Sequence, residues 1–310
     1  MTSKDTAFNV GAGAVSGLMF ASLTSASPFA LLFVFFSLLP LFLVGLAFGV
    51  NSALVAVAAG TAVSAVVGGP FTLFFGAPGY LLVAGAPAAV LVRQALLSRQ
   101  VAGAAVWYPP GHLVTWLVGF AGVYFVVAAL ALAGSPGGFA GEIASSLGAL
   151  MAQAQDAELA ADDAEMIESM AESIPAAAAS VWVFGLIVNM ALAQAIAVRR
   201  RRNLRPSPVL RTLEVPRVVT FPFVAALALA FVPGTFGFIG QTLAVIIAIP
   251  YFLVGLAVFH TVSRPWPMRE MILGVVYVLM IAVFWLRVGF IMLGFVEPWL
   301  KLRQRVAGHT

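Results

Sequence analysis

Long apolar stretches dominate the chain, and polar residues are confined mainly to the segments between them. Runs of about 20 apolar residues recur along the whole sequence, and each could cross a hydrocarbon core about 30 Å thick. Strand-like alternation is absent, and Ala, Leu and Gly fill the runs, so the pattern predicts helices. The candidate spans are 8–25, 28–50, 51–68, 71–95, 111–134, 175–198, 217–233, 236–262 and 270–296.

Proline and arginine interrupt several of these runs. Pro40 lies in the middle of the second run, and Pro78 and Pro87 lie in the fourth. Each removes a backbone donor and predicts a kink or a break. Arg287, inside the last run, favours a break there as well.

An acidic segment separates the fifth and sixth runs. Apolar residues recur at roughly helical spacing over 141–173, so this segment is predicted to be an amphipathic helix that ends at Pro175. The predicted fold is therefore an all-α polytopic membrane protein, with about eight to nine transmembrane helices and one amphipathic extracytoplasmic helix. Its predicted parts are an N-terminal half of five spans at 1–134, the acidic helix at 135–174, and a C-terminal half of three to four spans at 175–310.

Composition supports this class and excludes a water-soluble domain. Of the 310 residues, 62% are hydrophobic and only 9% are charged, against about 25% charged in soluble domains. The chain has no Cys, which excludes disulfides and thiolate metal sites.

Basic residues fall in connections that pairs of spans separate, which predicts that these connections share one side of the membrane. The largest group follows the sixth span, and no Lys or Arg lies between Arg99 and Arg199. The positive-inside rule assigns the basic side to the cytoplasm of a bacterial inner membrane, with the N-terminus inside. The predicted topology anchors, which would also attract anionic membrane lipids, are Arg199, Arg200, Arg201, Arg202 and Arg205. No aromatic or folded reader accompanies them, so nucleic acid is not expected as a partner.

The C-terminus departs from this pattern. A ninth full crossing would place Lys301, Arg303 and Arg305 outside. Either residues 270–296 form a broken or re-entrant hairpin that returns to the cytoplasm, or the charge rule fails at the last segment. The sequence leaves both alternatives open.

No catalytic constellation is visible. The sequence has no Walker loop and no HExxH motif, and no carboxylate lies at the centre of a predicted span. We therefore expect a non-enzyme without cofactor or metal.

Polar residues inside or near the spans are the candidates for binding an unidentified small molecule. For the amides the alternative is interhelical hydrogen bonding, and for Arg287 it is snorkelling or capping a broken helix. The candidates are Asn189, Gln194, Gln241, Tyr251 and Arg287.

Small residues form a stripe on the first span. Gly13, Gly17 and Ala21 recur every four residues, so they share one helix face and allow close approach of another helix. The stripe serves either packing within the chain or docking of a membrane-protein partner.

Three motifs near the C-terminus carry a family resemblance: IPYFLVGLAVFH at 249–260, VVYVLMIAVF at 275–284 and MLGFVEPWLKLRQR at 292–305. Together with LLPLFLVGLAFG at 38–49, they resemble an uncharacterised bacterial multispanning family, a domain of unknown function found near ribosomal-protein operons. That family is distantly similar to the substrate-binding S-components of energy-coupling-factor transporters.

The resemblance implies a protein that binds or moves a small or lipidic solute and takes its energy from a partner docked on the first helix. This chain departs from S-components in its larger number of spans and in its acidic insertion. A non-catalytic membrane scaffold or assembly protein is the alternative, and an intramembrane enzyme acting on lipid has the least support.

Overall fold

The fold is almost entirely helical, and the apolar runs of the sequence form its longest helices. The computed structural model describes residues 3–25, 28–69, 76–155 and 161–307. The described residues group into two compact units. Unit 1 comprises 1–117 and 182–209, and unit 2 comprises 118–181 and 210–310. This division differs from the three consecutive parts predicted from the sequence, whose boundaries follow residues 134 and 174. The reason is that helices α7 and α9, defined below, each contribute residues to both units.

Unit 1 is built from short and medium helices and one hairpin. Its elements are α1 (Ser3–Ala21), α2 (Ala30–Phe36), α3 (Leu38–Phe48), α4 (Val50–Gly68), α5 (Ala77–Tyr80), α6 (Ala86–Ala95), β1 (Ser98–Val101), β2 (Ala104–Trp107), the start of α7 (Pro110–Ala131) and the end of α9 (Ala161–Arg199). Its core includes Leu41 and Phe42 of α3, Leu91 of α6, and Val183 and Leu186 of α9, all buried.

Proline sets the breaks in the second and fourth predicted spans. The second span divides into α2 and α3 at Ser37, and Pro40 occupies the first turn of α3, where a missing N–H costs little. In the described part of the fourth, Pro78 and Pro87 begin α5 and α6, with a π-helical turn at Leu81–Gly85 between them. The interruptions expected at Pro40 and Pro87 are confirmed, whereas residues 70–75, which precede Pro78 in the fourth span, lie outside the described residues.

A β-hairpin follows α6, in a connection that the sequence reading left without structure. Ser98 pairs with Trp107, and Val101 pairs with Ala104, in antiparallel register. Ala102 and Gly103 both have positive φ, at 49° and 80°, the backbone that a two-residue type I′ turn requires.

Unit 2 contains the remainder of α7 and α9 together with α8 (Gly138–Gln155), α10 (Thr220–Leu229), α11 (Thr235–Val262), α12 (Arg269–Ala282), α13 (Phe284–Leu300) and α14 (Leu302–Ala307). Two glycines bring α11 and α13 into backbone contact: Gly255 lies against Phe290, and Gly294 lies against Tyr251. As residue numbers rise on α13 they fall on α11, so the two helices are antiparallel.

The acidic helix predicted at 141–173 does not end where the sequence indicated. Residues 138–155 form α8, and α9 begins at Ala161 and continues through Pro175 to Arg199. The prediction that Pro175 ends the acidic helix is therefore wrong. Alanine-rich sequence flanks Pro175 on its C-terminal side, and its strong helix propensity favours continuation across one missing hydrogen bond.

Six of the described helices are long and apolar enough to cross a membrane. They lie at Asp5–Thr24, Ala30–Phe48, Val50–Gly68, Pro110–Ala131, Ala164–Arg199 and Thr235–Val262. Helices α12 and α13 would add a seventh if counted as one span, but they are bent by 114°. The break falls at Val283, whose backbone is extended, and confirms the interruption expected near Arg287. Among the predicted spans, 217–233 yields only a shorter apolar helix, Arg217–Leu229.

Candidate functional site

Asn189 is fully buried in unit 1 and bonded to backbone. Its Nδ2 donates to the carbonyl oxygen of Phe35 at 2.7 Å and to that of Gly185, one turn earlier, at 2.7 Å. Its Oδ1 is buried and has no hydrogen-bond partner. Asn189 thus joins α9 to α2, which is the interhelical alternative that the sequence left open.

Gln194 and Arg205 form a buried polar cluster at the end of α9. Gln194 Nε2 donates to the carbonyl oxygen of Arg205 at 2.9 Å, and Asn203 Nδ2 donates to the same oxygen at 2.8 Å. Arg205 Nη1 in turn donates to the carbonyl oxygen of Ala95 at 2.8 Å. These bonds tie the segment after α9 to the C-terminal end of α6.

Arg205 therefore differs from the other predicted anchors. Arg199 to Arg202 are exposed, as topology anchors should be, whereas the side chain of Arg205 is only 5% exposed. Burial lowers the pKa of the Arg205 guanidinium from its ordinary value, because the charged form loses hydration. Arg205 is buried because its guanidinium lies against two backbone carbonyls, those of Ala95 and Tyr108, and near the ring of Trp107. Its role as a topology anchor stays a prediction.

Gln241 lines a cavity of about 830 Å³ in unit 2, which we name the acidic cavity. Helix α8, the first turns of α9, and the turn from α10 into α11 form its walls. The turn is tight: Gly234 has φ 75°, and a side chain at Gly237 would overlap the carbonyl of Val232. Gln241 lies in the second turn of α11 and is exposed toward this opening.

Two carboxylates line the same cavity. Glu168 and Glu172 are four residues apart on α9, so they lie on one helix face and both reach the opening. Neither was among the candidate binding residues from the sequence, which placed them in the predicted acidic amphipathic helix. Each of the two carboxylates directly follows an apolar residue, Ile167 or Ala171, and the structure buries both of these. This spacing of apolar residues is the feature of the sequence that could have indicated a packed side of α9 next to Glu168 and Glu172.

Aromatic rings form a further wall of the acidic cavity. Phe139 of α8 and Phe238 of α11 line it, with ring centroids 6.4 Å apart. Phe125 of α7 packs edge-on against both, at 5.8 and 5.9 Å. The cavity therefore combines an apolar, π-rich wall with two carboxylates and one amide.

The remaining two candidates lie apart from this cavity's lining. Tyr251 is buried against Phe223 and Phe295, and its hydroxyl lies 3.2 Å from the hydroxyl of Thr220. Arg287 is exposed in the first turn of α13, with its guanidinium 5.4 Å from the ring centre of Phe284.

The small-residue stripe of α1 is covered by α4. A side chain at Gly13 would overlap the carbonyl of Ala56, and one at Gly17 would meet the carbonyl oxygen of Gly60 at 2.5 Å. Ala21 is also buried. The structure thus uses Gly13, Gly17 and Ala21 for packing within unit 1, and docking of a partner on this face stays a prediction.

In the ranges 3–25, 28–69, 76–155 and 161–307, no three His, Asp or Glu side chains group closely enough to hold a metal ion.

Comparison with known proteins gives one match. A family model described as "Predicted membrane protein (DUF2232)" matches residues 14–297, which is most of the chain. No curated protein and no solved structure matches the sequence. The family match and the apolar helices agree on a multi-pass membrane protein.

Proposed function

Since this chain belongs to the DUF2232 family of membrane proteins, we propose that it is a non-catalytic protein that binds a small solute in the acidic cavity. The observation that carries this proposal is the cavity itself. Its volume of about 830 Å³ lies within the range of about 300–1,000 Å³ that small-molecule sites occupy. Polar groups converge on it from two helices, Glu168 and Glu172 from α9 and Gln241 from α11.

The lining favours an organic cation. Two carboxylates face the cavity, none of the described residues that line it is Lys or Arg, and Phe139 and Phe238 offer ring faces. A positively charged amine gains both from carboxylates and from aromatic faces, whereas an anion would be repelled. A compact ammonium compound with apolar substituents fits this chemistry.

The energy for any movement of the solute would come from a partner protein. The sequence has no Walker loop, so ATP hydrolysis by that route is not available to this chain. In the S-components, to which the motifs suggested a distant similarity, one protein likewise binds the solute and a partner supplies the energy. We extend that similarity as a proposal only.

Binding can be tested with tetraethylammonium as the probe on the purified full chain in detergent. We expect Glu168→Gln to weaken binding about tenfold, because it removes one charge-assisted contact. Glu165→Gln is the matched control: it lies one turn earlier on α9, makes the same change of charge, and does not line the cavity. Equal losses in both variants, or none in either, would reject the site.

The same chain extracted gently from its own membrane can then be examined by native mass spectrometry. A stoichiometric amine that is lost in Gln241→Ala would identify the natural solute. A ligand-free chain that carries another polypeptide would favour the alternative, a scaffold. The specific observation behind that alternative is that Asn189 and Gln194 bond to backbone inside unit 1 instead of lining a cavity.

Orientation follows from charge and helix length. A helix of 39 residues such as α9 is about 58 Å long, nearly twice the thickness of the hydrocarbon core. Its acidic first turns and its terminal Arg199 would then lie on opposite sides. We propose an inner-membrane location with the basic end and the N-terminus in the cytoplasm, and with the acidic cavity facing outward.

The C-terminus is expected to lie on the cytoplasmic side. Arg303 Nη1 donates to the carbonyl oxygen of Leu213 at 3.0 Å, and residue 213 directly follows the basic connection after α9. A fluorescent-protein fusion after Thr310 should therefore fluoresce, and an alkaline phosphatase fusion there should be inactive. Fusions at residue 134, in the opposite connection, serve as the control and should give the reverse pattern. An active phosphatase after Thr310 would contradict a returning hairpin.

A further inference from the structure

A second opening lies in unit 1, beside the β-hairpin. This hairpin cavity has a volume of about 450 Å³. Both strands and the start of α7 contribute to its lining, which includes Arg99, Trp107, Tyr108 and His112. The backbone N–H of Tyr108 donates to the carbonyl oxygen of Leu97 at 2.9 Å, which extends the pairing of the hairpin by one bond at the cavity.

The charge of unit 1 is strongly one-sided. Its residues include eight Lys and Arg but a single acidic residue, Asp5. Arg99 is exposed and lines the hairpin cavity, and the ring N–H of His112 can donate there as well. A site with a cation, a ring N–H donor and almost no competing carboxylate in its unit favours an anion.

A buried cation lies behind the cavity wall. The guanidinium of Arg205 is 5.9 Å from the ring centre of Trp107, and its Nη2 is 3.5 Å from the carbonyl oxygen of Tyr108. Its Nε is buried without a hydrogen-bond partner, and within the described part of the chain no carboxylate lies at salt-bridge distance from it. Because an uncompensated buried charge is costly, an anion in the adjacent cavity would offset part of that cost.

The aromatic residues place this cavity at a membrane boundary. Helix α7 is a candidate span and begins at Pro110, immediately after the hairpin. Trp107 and Tyr108 precede it, and Trp116 Nε1 donates to the hydroxyl of Tyr108 at 3.1 Å. Trp and Tyr concentrate at the depth of the lipid headgroups, so a ligand here would meet headgroup chemistry.

We propose that the hairpin cavity binds a single phosphate group, with Arg99 and His112 as its direct contacts and Arg205 as the charge behind the wall. Arginine suits a phosphate because its planar guanidinium donates two parallel hydrogen bonds to the phosphate oxygens. The phosphate can belong to an anionic lipid or to a soluble metabolite, since both present the same group to these donors.

Three probes distinguish an anionic lipid from a soluble metabolite as the source of the phosphate. Each is added to the purified full chain in detergent micelles, and native mass spectrometry measures how much of it the chain retains. Phosphatidylglycerol carries both phosphate and acyl chains, diacylglycerol carries only the chains, and glycerol phosphate carries only the phosphate. We expect one phosphatidylglycerol to be retained and diacylglycerol not to be. Competition by glycerol phosphate at a similar concentration would support a soluble ligand, and its failure to compete would support a lipid.

Arg99→Gln should weaken retention of phosphatidylglycerol about tenfold, because it removes a charged donor. Arg93→Gln is the matched control, since Arg93 is exposed at the end of α6 but does not line the cavity. His112→Ala is a second variant, which removes a ring N–H donor from the cavity lining and should also weaken retention. The proposal is overturned if Arg93→Gln and Arg99→Gln weaken retention equally, or if diacylglycerol is retained as well as phosphatidylglycerol.

Discussion

Replacing Gly13 with valine is expected to destabilise unit 1 by about 3 kcal/mol or more. A Cβ at this position would overlap the backbone carbonyl of Ala56, and backbone cannot move aside as a flexible side chain can. In a membrane, helix association depends on close packing because lipid is as apolar as the helix surface. A valine side chain that forces α1 away from α4 therefore removes the close packing that holds these two helices together.

Gly11→Val is the matched control for this experiment. Gly11 lies on the same helix and receives the same side chain, but among the described residues no atom outside its own stretch of helix lies within 4 Å of its Cβ position. The measurement is the fraction of monodisperse protein left after heating in detergent, for both variants beside the unchanged chain. If Gly13→Val keeps the thermal stability of Gly11→Val, then α1 and α4 do not pack as the structure has them.

The class of fold was predictable because it depends on composition and on the length of apolar runs. The number of helices was harder to predict, because hydropathy averages over breaks that single residues set. Val283 shows this: Arg287 predicted a break in the last run, but no feature of the sequence placed it at Val283, whose extended backbone divides the run into α12 and α13. Pro175 shows the converse, since a residue that usually ends a helix lies inside α9.

The candidate site was only partly predictable, because polar residues in apolar runs look alike in a sequence. Asn189 and Gln241 were chosen by the same criterion. The first is satisfied by backbone carbonyls and the second lines a cavity. Whether a polar side chain bonds to its own fold or faces a ligand depends on which helices meet at that level, and no local pattern encodes that.

The pattern of charges predicted a membrane topology, but it did not show which charged residues are buried or line a cavity. The arginines after α9 were interpreted as one group, although Arg205 is buried while its neighbours are exposed. Similarly, the acidic segment was interpreted as one amphipathic helix, although Glu168 and Glu172 line a cavity. In both cases the members that differ from the rest were visible only once neighbouring elements were in place.

Replacing Glu297 with alanine is expected to destabilise the C-terminal part of unit 2 by about 3–5 kcal/mol. The side chain is only 4% exposed, and its Oε1 lies 2.9 Å from Nε of Arg303. It also accepts the backbone N–H groups of Leu302 and Arg303, at 3.0 and 3.2 Å, just after α13 ends. Without the carboxylate, a largely buried guanidinium and two backbone donors would lose their acceptor.

Limited proteolysis can follow this loss directly, because Arg303 also anchors the tail through the carbonyl of Leu213. In Glu297→Ala we expect trypsin to cleave after Lys301 and Arg303 at lower protease concentration, together with a lower thermal stability in detergent. Glu270→Ala is the control: Glu270 is an exposed acid in the first turn of α12, and its removal should change stability by no more than about 0.5 kcal/mol.

The double variant Glu297→Ala with Arg303→Ala distinguishes an ion pair from simple packing. If the two side chains act mainly on each other, the double variant should be less destabilised than the sum of the single variants. Strict additivity would show that the pair does not hold the tail. A coupled result would show that the ion pair stabilises the end of unit 2.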